Sequence, residues 1–176
     1  MPRSRRTAHR ISLAAMFAAM SLIFLYLASI LPTMRITMYF LSSVFVMGLV
    51  LEEEIGLAFI MFISVSVLSL LLVPNLLRVV PYVLFFGHYG IGKYYIENNI
   101  KDKILRYVLK LLYFNVALAL IYLLARQIIV EDAISSGWPF WVLVAVAEIA
   151  FVVYDYIFTK VSAYYFMHIR RYLMKQ

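Results

Sequence analysis

Six apolar runs, separated by short polar or proline-containing segments, form the main pattern along the chain. A helix that crosses a bilayer needs about 20 predominantly apolar residues, and most of the runs approach that length. The second run is shorter and would cover roughly 21 Å as a helix. Transmembrane strands would alternate polar and apolar residues, whereas these runs are continuous. The pattern therefore predicts helices at residues 11–31, 38–51, 55–73, 77–95, 104–130 and 140–165.

The composition agrees with a membrane protein, because 65% of the 176 residues are hydrophobic and only 14% are charged. Ordinary soluble domains are about 45–50% apolar, so a chain of this size cannot hide that much apolar surface from water. This excludes a soluble enzyme, a disordered chain and a nucleic-acid module. Six spans use about 120 residues, which predicts a single all-α membrane domain over residues 1–176, a six-transmembrane-helix bundle.

The positive charges are distributed unequally between the two predicted sides of the membrane. Of the 16 Lys and Arg residues, 13 fall on the side that holds both termini, and three (Arg35, Arg78 and Arg126) fall on the other. Because cytoplasmic loops carry the excess of Lys and Arg, we expect both termini to be cytoplasmic. The expected location is a cell membrane, with the chain crossing it several times.

Helix 1 carries two pairs of alanines at a spacing of four residues: Ala14 with Ala18, and Ala15 with Ala19. This spacing puts each pair on one helix face and lets a neighbouring helix approach closely. Two interpretations remain open. The alanines pack inside this bundle, or they form a docking face for another membrane protein.

Three segments resemble the S-components of energy-coupling factor (ECF) transporters: ISLAAMFAAMSLIF after a basic flank, LPTMRITMYFLSSVFVMGLVL, and EIGLAFIMFISVSVLSLLL. The resemblance implies a six-helix subunit that docks on a membrane T-component through the Ala14–Ala19 face. It also implies capture of a small, vitamin-like solute from the outer side, with the whole subunit tipping in the membrane. ATP would be hydrolysed by separate ABC-type ATPases. No ligand-specific motif in this chain identifies the solute.

Polar residues inside the predicted helices are the next candidates for function, because intramembrane charges usually face the bundle interior or water. Glu148 lies roughly 13 Å into helix 6, and His88 lies at a similar depth in helix 4, so a contact between them is possible by depth. The pair either binds a solute or a proton, or forms a hydrogen bond that fixes helix packing. For Asp155 and Asn115 the structural role is favoured.

The three arginines on the outer side form a second group of candidates. By the resemblance, Arg35 and Arg78 sit in two loops that close over the solute site, while Arg126 lies near the outer end of helix 5. Arginine holds a carboxylate or phosphate through two parallel hydrogen bonds, so converging arginines would suit an anionic ligand. Otherwise each one extends to lipid headgroups. Tyr82 and Trp141, near the same face, either belong to the interfacial aromatic belt or stack on a flat ligand.

Motifs of catalysis and nucleotide binding do not fit this sequence. Gly87, Gly90 and Gly92 lack the Walker spacing and instead predict close helix contact or a bend. Glu53-Glu54 could begin the EExxxR signature of membrane CAAX-type proteases, but position 58 is alanine. We therefore predict no catalytic residue, cofactor, metal or nucleic-acid partner. The leading hypothesis is a solute-binding subunit of an ECF-type importer, and the alternative is a non-transport scaffolding subunit of an envelope complex.

Overall fold

The computed structural model describes the backbone of residues 3–136, 140–165 and 167, and the side chains of residues 8–124, 141–142, 144–165 and 167. Within these ranges the chain is helical and contains no strand, and the prediction of six helices is confirmed. The elements are α1 (Arg3–Ile30), α2 (Arg35–Leu51), α3 (Ile55–Leu72), a 3₁₀ turn (Leu76–Arg78), a π turn (Tyr82–Phe86), α4 (Gly87–Asn99), α5 (Lys103–Ser136) and α6 (Phe140–Tyr164).

Four helices (α1, α2, α4 and α5) extend beyond the apolar runs that predicted them, but the prediction that helix 4 starts at residue 77 is wrong, because α4 begins at Gly87 after two irregular turns. α1 begins at Arg3 instead of Ile11, α4 ends at Asn99 instead of Tyr95, and α5 continues to Ser136 instead of ending at Val130. The extension of α1 contains four arginines, which have good helix propensity. Hydropathy marks where a helix can meet lipid, whereas propensity carries the helix further into the polar flanks.

Among the residues that the structure describes, three helical segments are long and apolar enough to cross a membrane: Ala8–Ile30, Ile55–Leu72 and Lys103–Leu124. α2 is apolar but shorter. The described part of the chain is therefore an all-helical protein with helices suited to a bilayer.

The chain divides into two compact units, Met1–Asn99 and Ile100–Gln176. In the first unit α2 is the central helix, in contact with α1, α3 and α4. The carboxyl-terminal half of α2 is almost fully buried from Val46 to Val50. α1 approaches α2 closely, because the ring of Phe17 lies directly over Gly48, where a Cβ atom would be 2.8 Å from the ring.

The entry into α4 is irregular. Asn75 caps the 3₁₀ turn by accepting a hydrogen bond from the Leu77 amide, and Pro81 precedes the π turn. At Gly87 an added Cβ would lie 2.6 Å from the Phe62 ring of α3 and 2.9 Å from the Tyr82 ring. The glycine therefore permits the close contact between α3 and α4 that the glycine run predicted.

The second unit is an antiparallel pair, α5 and α6, joined along one seam. The Lys110 ammonium lies 3.0 Å from the Asp155 carboxylate, and both side chains are buried. One turn further, the rings of Phe114 and Phe151 stack with centroids 4.5 Å apart. An ion pair and a pair of stacked rings, one helical turn apart, thus connect α5 to α6.

Candidate functional site

The two ends of the first unit have different chemistry. At the amino-terminal end of α1, Arg10 forms an ion pair of 2.5 Å with Glu54, in the turn between α2 and α3. At the opposite end, the last turn of α1 meets the start of α2 and the 3₁₀ turn, and two arginines lie there. We call the group of Ser29, Arg35, Tyr39 and Arg78 the arginine cluster.

Arg78 ties three elements together within the arginine cluster. Its guanidinium donates a hydrogen bond to the Ser29 carbonyl at the end of α1, which satisfies one of the acceptors that a helix leaves open at its carboxyl end. The Tyr39 hydroxyl of α2 donates to the Arg78 carbonyl. Arg78 thus partly serves the fold, a role that its sequence position did not suggest.

Arg35 is the first residue of α2, one turn before Tyr39 on the same helix face. Both guanidinium groups, of Arg35 and Arg78, lie near enough to the Tyr39 hydroxyl to interact with it electrostatically. Two of the three outer arginines thus lie near Tyr39: Arg78 accepts the tyrosine hydrogen bond at its carbonyl, and Arg35 lies one turn earlier on α2. The side chain of the third, Arg126, lies outside the described residues.

Tyr82 and His88 lie inside the first unit. Tyr82, expected at the outer interface, is fully buried, and its hydroxyl lies near the Ser42 hydroxyl without hydrogen-bond geometry. The His88 imidazole hydrogen-bonds the backbone of Leu84, one turn earlier. It also meets the Phe62 ring edge-on at 5.2 Å. Both side chains therefore take part in packing.

The alanines of α1 divide between two environments. The buried face of the helix carries Phe17, Ser21, Leu25 and Ala28, and Ser21 and Ser42 exchange hydrogen bonds of 2.9 and 3.2 Å between side chain and carbonyl. Ala14 and Ala18 flank this face and are half-buried, whereas Ala15 and Ala19 lie about 160–200° away from Phe17. These last two are exposed, together with their neighbours Met16, Met20 and Ile23.

Glu148 and Asp155 each have a partner on α5. Asn115 donates a hydrogen bond of 2.7 Å to one Glu148 oxygen, while the other oxygen is shielded from solvent and has no partner among the described residues. The expected role of Asn115 as an interhelical hydrogen bond is thus observed. Trp141, at the start of α6, is 71% exposed. Because His88 and Glu148 belong to different units, the contact between them stays a prediction.

Two buried lysines, Lys110 and Lys93, were not identified as candidates from the sequence. Lys110 was counted as part of a cytoplasmic flank but is buried against Asp155, and Lys93 is 2% exposed, 3.4 Å from Glu97. The lengths of the apolar runs give no signal for either, since they do not identify the face on which a lysine lies. The available signal was Asp155 itself, because a carboxylate within an apolar helix predicts a cationic partner on a neighbouring helix.

Among the residues that were described, no group of three His, Asp or Glu side chains is close enough together to hold a metal ion. Two features remain as the best candidates for function: the arginine cluster and the exposed face of α1 that carries Ala15 and Ala19. No family model matches the chain, and no curated protein or solved structure is significantly similar to it.

Proposed function

We propose that this protein is the solute-capturing membrane subunit of an ECF-type importer. The observation that carries the proposal is the exposed alanine face of α1, because it lies opposite the face by which α1 packs in its own unit. Small side chains let a second helix approach the backbone closely. In a lipid environment, such a face favours a protein neighbour over lipid chains, whose packing against small residues is poorer.

The neighbours of the alanines on α1 strengthen this argument. Met16 and Met20 are exposed beside Ala15 and Ala19, and the unbranched, flexible side chain of methionine adapts to irregular partner surfaces. The proposed partner is a membrane T-component carrying ABC-type ATPases, since the chain has no nucleotide-binding motif. The fold would be that of an S-component, six transmembrane helices, with both termini in the cytoplasm of a prokaryotic cell.

The arginine cluster supports the capture role, because it lies at the end of the first unit opposite Arg10 and Glu54. With the amino terminus of α1 in the cytoplasm, this end would face the outside, where the solute arrives. The small solute would bind there, at the arginine cluster. ATP-driven tipping of the whole subunit, as the resemblance implies, would then release it inside.

A pull-down in mild detergent, followed by mass spectrometry, tests the proposal. The wild-type protein should recover a T-type membrane subunit with ABC-type ATPases. The variant Ala15→Leu/Ala19→Leu should recover at least about tenfold less, since the added side chains hold a partner helix away. The matched control is Ala145→Leu/Ala150→Leu, which changes two exposed alanines of α6 and should leave recovery unchanged.

Two outcomes would overturn the proposal at different points. If the alanine variant recovers the same partners as the wild type, the docking face has been assigned wrongly. If the wild type recovers envelope proteins but no ATPase, the protein is not an importer subunit.

The second candidate function is a scaffolding subunit of an envelope complex. It is favoured by the partners of the intramembrane polar residues, because Asp155, Asn115 and His88 all contact their own unit. A scaffold needs no ligand, so its thermal stability would be indifferent to small solutes. Recovery of a stable envelope complex without ATPases would select this function.

A further inference from the structure

The arginine cluster contains two positive charges and no carboxylate of its own. Among the residues whose side chains are described, neither Arg35 nor Arg78 forms an ion pair. The nearest run of acids along α2, Glu52–Glu54, follows the other end of that helix, about 25 Å from Arg35 by helical rise. The two guanidinium groups therefore repel each other around the Tyr39 hydroxyl with no opposing charge from this unit.

The position of Arg35 adds a second unfavourable contribution. The amino-terminal end of a helix carries partial positive charge, so a cation in the first turn is disfavoured and an anion is favoured. Met34, which precedes α2, provides no side-chain hydrogen bond to the first amides. The start of α2 thus presents open N–H donors beside a cation, a combination that an anionic oxygen would satisfy.

A third observation concerns one atom of the half-buried Arg35 side chain. Its Nε is shielded from solvent and has no hydrogen-bond partner among the described residues. A buried donor without an acceptor is costly, since it has lost water and gained nothing in return. The two terminal nitrogens of the same guanidinium form a fork that a planar anion accepts, and an anion bound there would place a negative charge beside this delocalised cation.

We propose that Arg35, Arg78 and Tyr39 form a binding site for an anionic oxygen group, a carboxylate or a phosphate. Arg35 supplies the two-pronged contact, and Arg78, with one nitrogen committed to Ser29, supplies a single donor. Tyr39 fixes the 3₁₀ turn that positions Arg78. As a solute site this proposal rests on the proposed function, whereas the anion chemistry itself is independent of it. The anion is carried either by a water-soluble solute or by a lipid headgroup.

Thermal unfolding of the full chain tests the proposal. In neutral detergent at constant ionic strength, chloride is replaced by millimolar inorganic phosphate or acetate. The wild type should gain about 2–5 °C in midpoint temperature, because a ligand of the folded state shifts unfolding by mass action. The variant Arg35→Gln should lose this gain, and without phosphate or acetate it should be at least as stable as the wild type because the charge repulsion is gone.

Two further variants make the result specific. Arg35→Lys keeps the charge but loses the fork, so it should retain only part of the gain. Arg10→Gln removes the same charge at the other end of the first unit and should retain all of it. A purely structural role for Arg35 would instead lower the midpoint of Arg35→Gln in every buffer.

A parallel measurement in mixed micelles distinguishes the two sources of the anion. If phosphatidylglycerol but neither soluble anion stabilises the wild type, and Arg35→Gln abolishes the effect, the site stands and its occupant is a headgroup. If no probe stabilises the wild type, or if Arg35→Gln retains the gain, the site is overturned. This measurement needs no partner protein, so the anion site can fail while the pull-down supports the importer subunit. The anion site can also be supported while the pull-down fails.

Discussion

The two units hold their helices together by different chemistry. In the first, Ser21 and Ser42 join α1 to α2, and the glycines at 48 and 87 let aromatic rings approach the backbone. In the second, the seam of α5 and α6 depends on side chains that reach across, above all Lys110 and Asp155.

For helices that lie in lipid, no hydrophobic driving force brings one helix to another. Helices associate there through close packing and interhelical polar contacts. A central helix with three neighbours can use close packing on several faces, as α2 does. A two-helix pair has a single shared seam, so strong polar contacts are concentrated there. The buried lysines illustrate this, because Lys93 pairs with Glu97 on its own helix while Lys110 pairs across helices.

The largest expected effect comes from breaking the ion pair in the second unit. Asp155→Ala removes the carboxylate from the buried Lys110, which should cost about 3–5 kcal/mol in the free energy of unfolding. Unfolding with increasing denaturing detergent measures it. The double variant Lys110→Met/Asp155→Leu should recover most of the loss, because a buried pair replaced by apolar residues is often neutral. If Asp155→Ala is as stable as the wild type, the contact between α5 and α6 does not depend on this ion pair.

A smaller effect is expected from closing the glycine contact of the first unit. Gly87→Ala forces the Phe62 and Tyr82 rings to shift and should cost about 1–3 kcal/mol. Gly56→Ala is the matched control, since nothing lies within 4 Å of the added methyl group. The same unfolding assay compares them, and equal stabilities would contradict the view that close backbone contact holds this unit together.

The smallest effect concerns the second polar contact of the seam. Glu148→Leu removes the hydrogen bond from Asn115 and should cost about 0.6 kcal/mol, the average for an interhelical hydrogen bond in a membrane protein. Glu148→Gln keeps an acceptor and should be close to neutral in the same assay. If Glu148→Gln lowers the free energy of unfolding as much as Asp155→Ala does, the charge of Glu148 is as important for the stability of this unit as the Lys110–Asp155 ion pair.

The number and approximate placement of the helices could be predicted from hydropathy, because each apolar run is uninterrupted. The irregular entry to α4 could not. Hydropathy predicted one continuous helix from residue 77, but the 3₁₀ turn and the π turn there depend on the contacts of Arg78 and Tyr82. Arg78 is contacted by Tyr39 and Tyr82 by Phe62, residues distant along the chain that no local pattern identifies.

The candidate site was predicted in part. Arg35 and Arg78 were identified because they are cations on the side poor in cations, and the structure brings both beside one residue. Tyr39 was missed, since a tyrosine within an apolar run looks like ordinary packing. Its position one turn after Arg35 was the available signal. The burial of Lys110 was missed for a related reason, because a count of charges by loop ignores the face on which each lies.

The pairing of Lys110 with Asp155 also has a consequence for how the chain is made. The two residues are 45 positions apart, and the lysine is synthesised first. An unpaired lysine within a bilayer is costly, up to roughly 2.5–3.5 kcal/mol at the centre, so its ammonium group is better kept at the water boundary until the carboxylate arrives. If α5 spans a bilayer, its final depth would then be fixed only after α6 has been synthesised, and a helix made later would decide the position of one made earlier.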